Sequence, residues 1–288
     1  MRIVKLAATQ FAMAPNIPEN VQKAKEMVRK AAKEGANIIL LPELFENVYF
    51  CQTESYERFA FAEEFENSPT ITTFSALAKE LGVVLPVSYF EKAGNCYFNS
   101  IAIIDADGTV LGQYRKSHIP TGECYEEKFY FSPGDTGFRV FATKFGKIGV
   151  GICWDQWFPE TARILALKGA EMLFFPTAIG SEPVLDKDSK DHWQHVMQGH
   201  AAANIMPVVA SNRIGTEEMD GSSMTFFGSS FIANEFGVRV QELGRTEEGI
   251  LVHEFDLDLI EKERRDWGVF RDRRVDLYAP LLKLDDSK

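Results

Sequence analysis

The sequence has no apolar run that approaches the roughly 18 residues of a membrane-spanning helix. Its first residues read as a strand, without the charged and then apolar segments of a signal peptide, so we expect no export signal. The four cysteines are widely spaced and form no CxxC pair. These absences argue against a membrane partner and predict free thiols in a reducing compartment, the cytoplasm.

Basic residues are also in deficit, with 31 lysines and arginines against 42 aspartates and glutamates, and the net charge is −11. This balance argues against a nucleic-acid partner and leaves a small cationic ligand open, because a negative field attracts cations. Many acidic proteins bind no such ligand, so charge alone does not decide. The sequence has no low-complexity linker or break in composition, and we expect residues 1–288 to form one domain.

Two common catalytic patterns are missing: the GxSxG nucleophile turn and the HExxH zinc motif. His192, His195 and His200 share one predicted helix and are the alternative zinc ligands, although a helix with polar contacts explains them equally simply. We therefore expect no metal and no cofactor.

Apolar periodicity predicts alternating strands and helices, which is typical of an α/β fold. Strands are expected at residues 3–10, 38–43, 83–90, 96–105, 108–114, 138–141, 148–153, 172–176, 207–212, 224–233 and 250–255. Helices are expected at residues 17–34, 70–81, 158–168, 188–204 and 257–265. Residues 44–69 are expected to be loop and short helix, and residues 121–134 a loop. The segments GANIILLP (35–42) and GAEMLFFP (169–176) are similar, either by chance or because two strand–helix–strand units repeat within the domain.

Glu43, Lys116 and Cys153 each follow the end of a predicted strand, where sites of open α/β sheets gather. A carboxylate can take the proton of a thiol, and an ammonium can neutralise the oxyanion that forms when the thiolate attacks a carbonyl or nitrile carbon. Each residue also has an ordinary explanation, as a surface acid, a solvated base or a small buried side chain.

Three segments resemble the catalytic blocks of the nitrilase superfamily of carbon–nitrogen hydrolases, in the same order: LPEL (41–44), YRKSHIP (114–120) and GICWD (151–155). The resemblance implies a four-layer αββα sandwich and an assembly of at least two copies. It also implies that Glu43, Lys116 and Cys153 form the catalytic triad. A further catalytic glutamate of the superfamily matches Glu127 best, with Glu126 as the alternative.

Further segments, CWDQWFPE (153–160), TAIGSEP (177–183) and WGVFRDRR (267–274), resemble the branch that hydrolyses N-carbamoylputrescine to putrescine, carbon dioxide and ammonia. That activity would complete a route from arginine through agmatine to polyamines. A β-ureidopropionase, an ω-amidase or an aliphatic nitrilase is the alternative, and so is a binding scaffold without activity.

The resemblance implies a cationic carbamoyl substrate, whose ammonium needs an acidic partner if it is buried. Glu182 follows the strand at 172–176 and is the first candidate; Asp155 is the second, and Trp154 is a candidate for shaping the pocket. Arg213 argues against this hypothesis, because a substrate carboxylate could use it.

Two further alternatives concern His118 and the C-terminus. His118 lies beside Lys116 and could instead form a Cys-His pair with the nucleophile. The arginine-rich tail, about residues 266–288, could lie at the interface of a homo-oligomer or could simply be solvated.

Overall fold

The computed structural model describes residues 1–181 and 187–285. The strands in this part of the chain are β1 (Ile3–Gln10), β2 (Ile38–Leu40), β3 (Leu85–Ala93), β4 (Cys96–Ile104), β5 (Val110–Arg115), β6 (Val140–Thr143), β7 (Gly146–Val150), β8 (Met172–Pro176), β9 (Val208–Ser211), β10 (Ile214–Met219), β11 (Ser222–Phe227), β12 (Phe231–Ala233), β13 (Arg239–Glu242) and β14 (Gly249–Asp256). The α-helices are α1 (Ile17–Lys33), α2 (Pro69–Leu81), α3 (Glu127–Tyr130), α4 (Pro159–Leu167), α5 (Lys190–Asn204) and α6 (Leu257–Trp267).

The helix boundaries follow from local chemistry. Pro18 and Glu19 lie in the first turn of α1, and Lys30 and Lys33 lie in its last turn, where they complement the helix dipole. In α2 the Ser68 side chain accepts a hydrogen bond from the Ile71 N–H, which caps the helix, and Gly82 ends it in the left-handed conformation.

Two sheets form the centre of the molecule. In the first, β1 pairs antiparallel with β14 and parallel with β2, and β3, β4 and β5 form an antiparallel extension. The two parts join where Ile39 N–H donates to the Val84 carbonyl (3.0 Å) and Val84 N–H donates to the Asn37 carbonyl (2.8 Å). The second sheet has the order β13-β12-β9-β8-β7-β6, with β7, β8 and β9 parallel.

The sheets pack face to face, and helices cover their outer faces. Alternate residues of β1 show this arrangement, because Leu6 and Ala8 join the core between the sheets whereas Ala7 faces α1 and α2. Residues of α4 and α5 cover the second sheet. The four layers, helix–sheet–sheet–helix, confirm the predicted αββα sandwich.

The strand predicted at 224–233 is wrong: the chain forms two strands, β11 and β12, separated by Gly228 and Ser229 in the left-handed region (φ 54° and 58°). A Cβ at Gly228 would lie 2.6 Å from Ile214 Cγ2, so glycine fits this turn. β10 and β13 were not predicted, since β10 carries several polar residues and β13 is short and exposed. β10 and β11 form a separate hairpin.

Three other expectations need correction. β2 ends at Leu40, so Glu43 lies in a turn beyond it, and β7 ends at Val150, so Cys153 opens a 3₁₀-helix. The short helix α3 interrupts the loop expected at 121–134. No helix in the described ranges is both long and apolar enough to cross a membrane.

Candidate active site

The sandwich brings Glu43, Lys116 and Cys153 together from three strand ends. Glu43 follows β2, Lys116 follows β5, and Cys153 follows β7. The Glu43 and Lys116 side chains are fully buried, and Cys153 is buried too. The pKa of the Cys153 thiol responds to the charges of both other residues, which places all three within electrostatic reach.

Lys116 is the centre of the polar contacts. Its Nζ donates to Glu43 Oε1 (2.8 Å) and to Glu127 Oε2 (2.6 Å). Helix α3 places Glu127 here with its side chain fully buried, whereas the neighbouring Glu126 is half-buried. The geometry therefore favours Glu127 over Glu126 as the additional glutamate of the site.

Burial and charge oppose each other in this cluster. Burial disfavours the Lys116 ammonium, but Glu127 and Glu43 outweigh this effect and hold the pKa of Lys116 well above its ordinary value. Burial raises the pKa of the Cys153 thiol, and Glu43 raises it further against the opposing effect of Lys116. These effects favour the ammonium form of Lys116 and disfavour the thiolate of Cys153, so the thiol needs a base before it can attack.

Glu43 has one oxygen free for that task. Oε1 accepts from Lys116 and also from Asn99 Nδ2 (2.7 Å), while no side chain or backbone group in the described residues bonds the buried Oε2. Asn99 was missed at the sequence level. It is a fully buried polar residue which, with Ser100, directly precedes the apolar run at residues 101–104 of β4, and that contrast was the available signal.

Tyr49 was missed as well, because it lies in a segment rich in aromatic residues. Its hydroxyl donates to Glu127 Oε1 (2.6 Å), so both oxygens of Glu127 have donors. Burial raises the pKa of Tyr49 well above its ordinary value, and the nearby Glu127 raises it further, so the phenol remains a donor. The ring packs edge-on against Tyr125 and Phe226.

The backbone at Cys153 is unusual, with φ at +40°. A non-glycine residue in the left-handed region costs on the order of 1–3 kcal/mol and persists only where its surroundings enforce it. The Cys153 Sγ lies 3.8 Å from the carbonyl oxygen of Ala178, two residues beyond the end of β8. The indole of the next residue, Trp154, is 39% exposed, which suits the predicted place at a pocket wall.

The two candidate partners of a substrate ammonium have different outcomes. Glu182 lies outside the described residues. Asp155 is fully buried, and protein groups already occupy both of its oxygens: the Tyr114 hydroxyl, the Ile152 N–H and two nitrogens of His118. This geometry argues against the predicted contact between Asp155 and a substrate ammonium.

Both terminal nitrogens of Arg213 are also held by protein groups. It is fully buried, and its guanidinium donates to the backbone carbonyls of Glu43 (2.6 Å), Leu44 (3.1 Å) and Asn47 (3.1 Å). It also pairs with Glu217 at 2.9 Å. Arg213 therefore braces the turn that presents Glu43, and the alternative that it binds a substrate carboxylate finds no support.

The histidines do not form the alternative sites. His118 Nδ1 lies 2.7 Å from Asp155 Oδ1, and its ring stacks on Phe158 with 3.7 Å between centroids. His192, His195 and His200 belong to no group of three or more potential metal ligands in the described part of the chain.

The buried Glu-Lys-Cys arrangement in an αββα sandwich can be compared with known proteins. The carbon–nitrogen hydrolase family model matches residues 5–265. The chain belongs to the carbon–nitrogen hydrolase family. This confirms the predicted superfamily and the expectation of an enzyme that hydrolyses carbon–nitrogen bonds.

Individual members of the carbon–nitrogen hydrolase family are closely similar over nearly their whole length. An N-carbamoylputrescine amidase from Solanum tuberosum is 60% identical, over 99% of this chain and 97% of that protein. A citrullinase from Francisella tularensis is 51% identical, over 98% and 99%. The crystal structure of a carbon–nitrogen hydrolase from Helicobacter pylori G27 is 40% identical, covers 98% of this chain and 99% of its own, and has a TM-score of 0.93.

Proposed function

We propose that this enzyme hydrolyses N-carbamoylputrescine to putrescine, carbon dioxide and ammonia, in polyamine synthesis. The observation that carries the proposal is the 58–60% identity, over nearly full length, to four plant proteins named N-carbamoylputrescine amidase. The second candidate is citrulline hydrolysis, which the similarity to a citrullinase favours. Both substrates carry a carbamoyl group, so the distal end of the substrate separates the two functions.

Two observations on charge, one from the structure and one from the sequence, support the amine substrate over citrulline. Citrulline carries a carboxylate beside its α-ammonium, and the carboxylate calls for a cation. Both terminal nitrogens of buried Arg213 already donate to backbone carbonyls and to Glu217. The segment 182–186 contributes two acids and no base to the sequence. We propose Glu182 as the partner of the substrate ammonium.

In the proposed reaction, Glu43 Oε2 takes the proton of Cys153 while the Sγ attacks the carbamoyl carbon and forms a carbon–sulfur bond. Lys116 and the backbone N–H of Trp154 stabilise the negative oxygen, and one such donor contributes about 10²–10³-fold in rate. The carbon–nitrogen bond then breaks, and the leaving nitrogen receives the proton from Glu43.

The second half of the reaction releases the thiol. Glu43 takes a proton from water, whose oxygen attacks the thioester-like carbon, and the carbon–sulfur bond breaks as Cys153 regains a proton. The resulting carbamate decomposes to carbon dioxide and the second amine. Glu127 accepts hydrogen bonds from Tyr49 and Lys116; it keeps the Lys116 ammonium in place and positions the attacking water.

Ammonia release from matched substrates tests this function. We expect N-carbamoylputrescine to have a kcat/KM well above that of citrulline, N-carbamoyl-β-alanine, simple amides and nitriles. Preferential hydrolysis of citrulline would favour the second candidate, and preference for an acidic carbamoyl compound such as N-carbamoyl-β-alanine would contradict both. A Glu182→Gln variant should raise the KM for N-carbamoylputrescine and leave that for uncharged butylurea unchanged.

We also propose that the enzyme works in the cytoplasm as a homo-oligomer, without nucleic-acid or membrane partners. The C-terminal tail contributes exposed Leu281, Leu282 and Leu284, and a cavity of about 800 Å³ separates part of the tail from α4 and α5. Such an apolar face favours contact with a second copy. Sedimentation of the Leu282→Asp variant tests this proposal: a smaller species is expected, and an unchanged assembly would contradict it.

A further inference from the structure

The carboxylate of Asp155 lies between the segment that carries Lys116 and the turn that carries Cys153. Its Oδ2 accepts from the Tyr114 hydroxyl (2.8 Å) and from the Ile152 N–H (2.9 Å). Its Oδ1 accepts from the His118 N–H (3.0 Å) and lies 2.7 Å from His118 Nδ1. Since a carboxylate only accepts, the Nδ1 atom carries a proton in this arrangement.

These donors flank the two residues of the proposed chemistry. Tyr114 and His118 stand two positions before and after Lys116, and Ile152 directly precedes Cys153. One buried carboxylate therefore connects both sides of the lysine segment to the nucleophile turn. The segments are about 40 residues apart in the chain, and the four contacts fix their relative position.

The turn itself depends on the same residue. The Asp155 N–H donates to the Ile152 carbonyl (3.0 Å), and the Asp155 side chain accepts from the Ile152 N–H. Together these bonds close the chain around Cys153, whose positive φ requires enforcement by its surroundings.

We propose that Asp155 is a positioning residue, which sets the Lys116 ammonium relative to the Cys153 thiol and does not contact the substrate. The inference rests on the proposed roles of Lys116 and Cys153. It replaces the expectation that Asp155 binds the substrate ammonium, because each of its oxygens already has two nitrogen or hydroxyl neighbours and the side chain has no exposed surface.

The Asp155→Asn variant tests the proposal with almost no change in volume. It places an NH₂ group against an N–H of Ile152 or His118, which disturbs both segments. We expect kcat to fall about 10²-fold, as for a misplacement near 1 Å, with KM changed less than about threefold. The loss should be equal for N-carbamoylputrescine and for uncharged butylurea. A rise in KM confined to the cationic substrate would overturn the proposal in favour of ammonium binding.

Alkylation of Cys153 by iodoacetamide gives a readout that needs no turnover. Lys116 favours the thiolate, so misplacing it should move the pH profile of alkylation in Asp155→Asn toward higher pH. Loss of a nearby negative charge alone would move the profile toward lower pH. An alkylation profile that stays unchanged or moves to lower pH would overturn the positioning role of Asp155. If the wild type hydrolyses no carbamoyl compound, the proposed function fails, and the alkylation profile still tests this inference.

Two more variants complete the test. Tyr114→Phe removes a single donor from Asp155 and should lower kcat about tenfold, which keeps the proposal testable if Asp155→Asn does not fold. Asp135→Asn is the matched control, because this exposed acid pairs with the neighbouring Arg115 and not with the site. Its kinetics should match the wild type. Wild-type kcat in Tyr114→Phe together with an unshifted alkylation profile would overturn the proposal.

Discussion

The core between the two sheets and the layer of turns at the active site are held together by different forces. Leu6, Ile103 and Phe174 lie in the core with no exposed surface, and burial of apolar area stabilises them. The turns that carry Glu43 and Cys153 depend on buried polar residues, Arg213 and Asp155. Because different contacts hold the two regions, we expect that stability and catalysis can be perturbed separately in this molecule.

The largest effect is expected from Cys153→Ser, which replaces the thiol with a slightly smaller hydroxyl and changes nothing else in the side chain. Turnover should fall by about 10⁴-fold or more, since a hydroxyl is a far weaker nucleophile here, with thermal unfolding nearly unchanged. Ammonia release and calorimetry measure both quantities. Cys96→Ser, at an exposed thiol, is the control. Near-native turnover in a folded Cys153→Ser protein would exclude the thiol's role.

The reverse pattern is expected for Leu6→Ala in the core. The cavity should lower the free energy of unfolding by about 2–5 kcal/mol. Leu6 pairs with Ile38 at the start of β2, whereas Glu43 follows the end of that strand, so kcat at low temperature should change little. Denaturant titration and initial rates check the two quantities. A loss of kcat as large as that of stability would show that core and site are coupled.

The charge balance of the site can be tested through the ionisation of Cys153. Burial and Glu43 raise the pKa of the thiol, and Lys116 lowers it. In Glu43→Gln the alkylation of Cys153 should therefore reach its plateau at lower pH than in the wild type, although turnover is lost. Lys116→Met should move the profile to higher pH. Shifts in the opposite directions would contradict the effects of Glu43 and Lys116 on the pKa of Cys153.

The smallest effect is expected on the surface, at the ion pair between Lys23 of α1 and Glu248 (2.7 Å). Lys23→Gln should change the free energy of unfolding by less than about 1 kcal/mol, because solvent screens exposed pairs. The same denaturant titration measures this change. A destabilisation comparable to that of Leu6→Ala would contradict the dominance of burial in the sandwich.

The difference between the apolar core and the active-site turns also explains which features could be predicted from the sequence. Apolar periodicity located β1, β8 and most helices, because those segments are buried over long regular stretches. It placed Glu43, Lys116 and Cys153 at strand ends, and the motifs joined them into one site.

Local sequence patterns could not reveal contacts between segments that are distant in the chain. Asn99, Tyr49 and the brace formed by Arg213 act through partners 56–170 residues away in the chain. The hairpin β10–β11 was hidden as well, because Glu217, Glu218 and other polar residues break the apolar pattern. The sequence shows the charge of Asp155 but not its four contacts with Tyr114, His118 and Ile152, and it therefore suggested a contact with the substrate.

In the proposed reaction, Cys153 forms a covalent bond to the carbamoyl carbon of the substrate. Rapid acid quench during turnover of N-carbamoylputrescine, followed by peptide mass spectrometry, tests it most directly. The predicted result is a substrate-derived adduct on Cys153, absent in Cys153→Ser and absent from Cys51, Cys96 and Cys124. Steady turnover by enzyme whose Cys153 is fully alkylated would contradict the formation of this bond during catalysis.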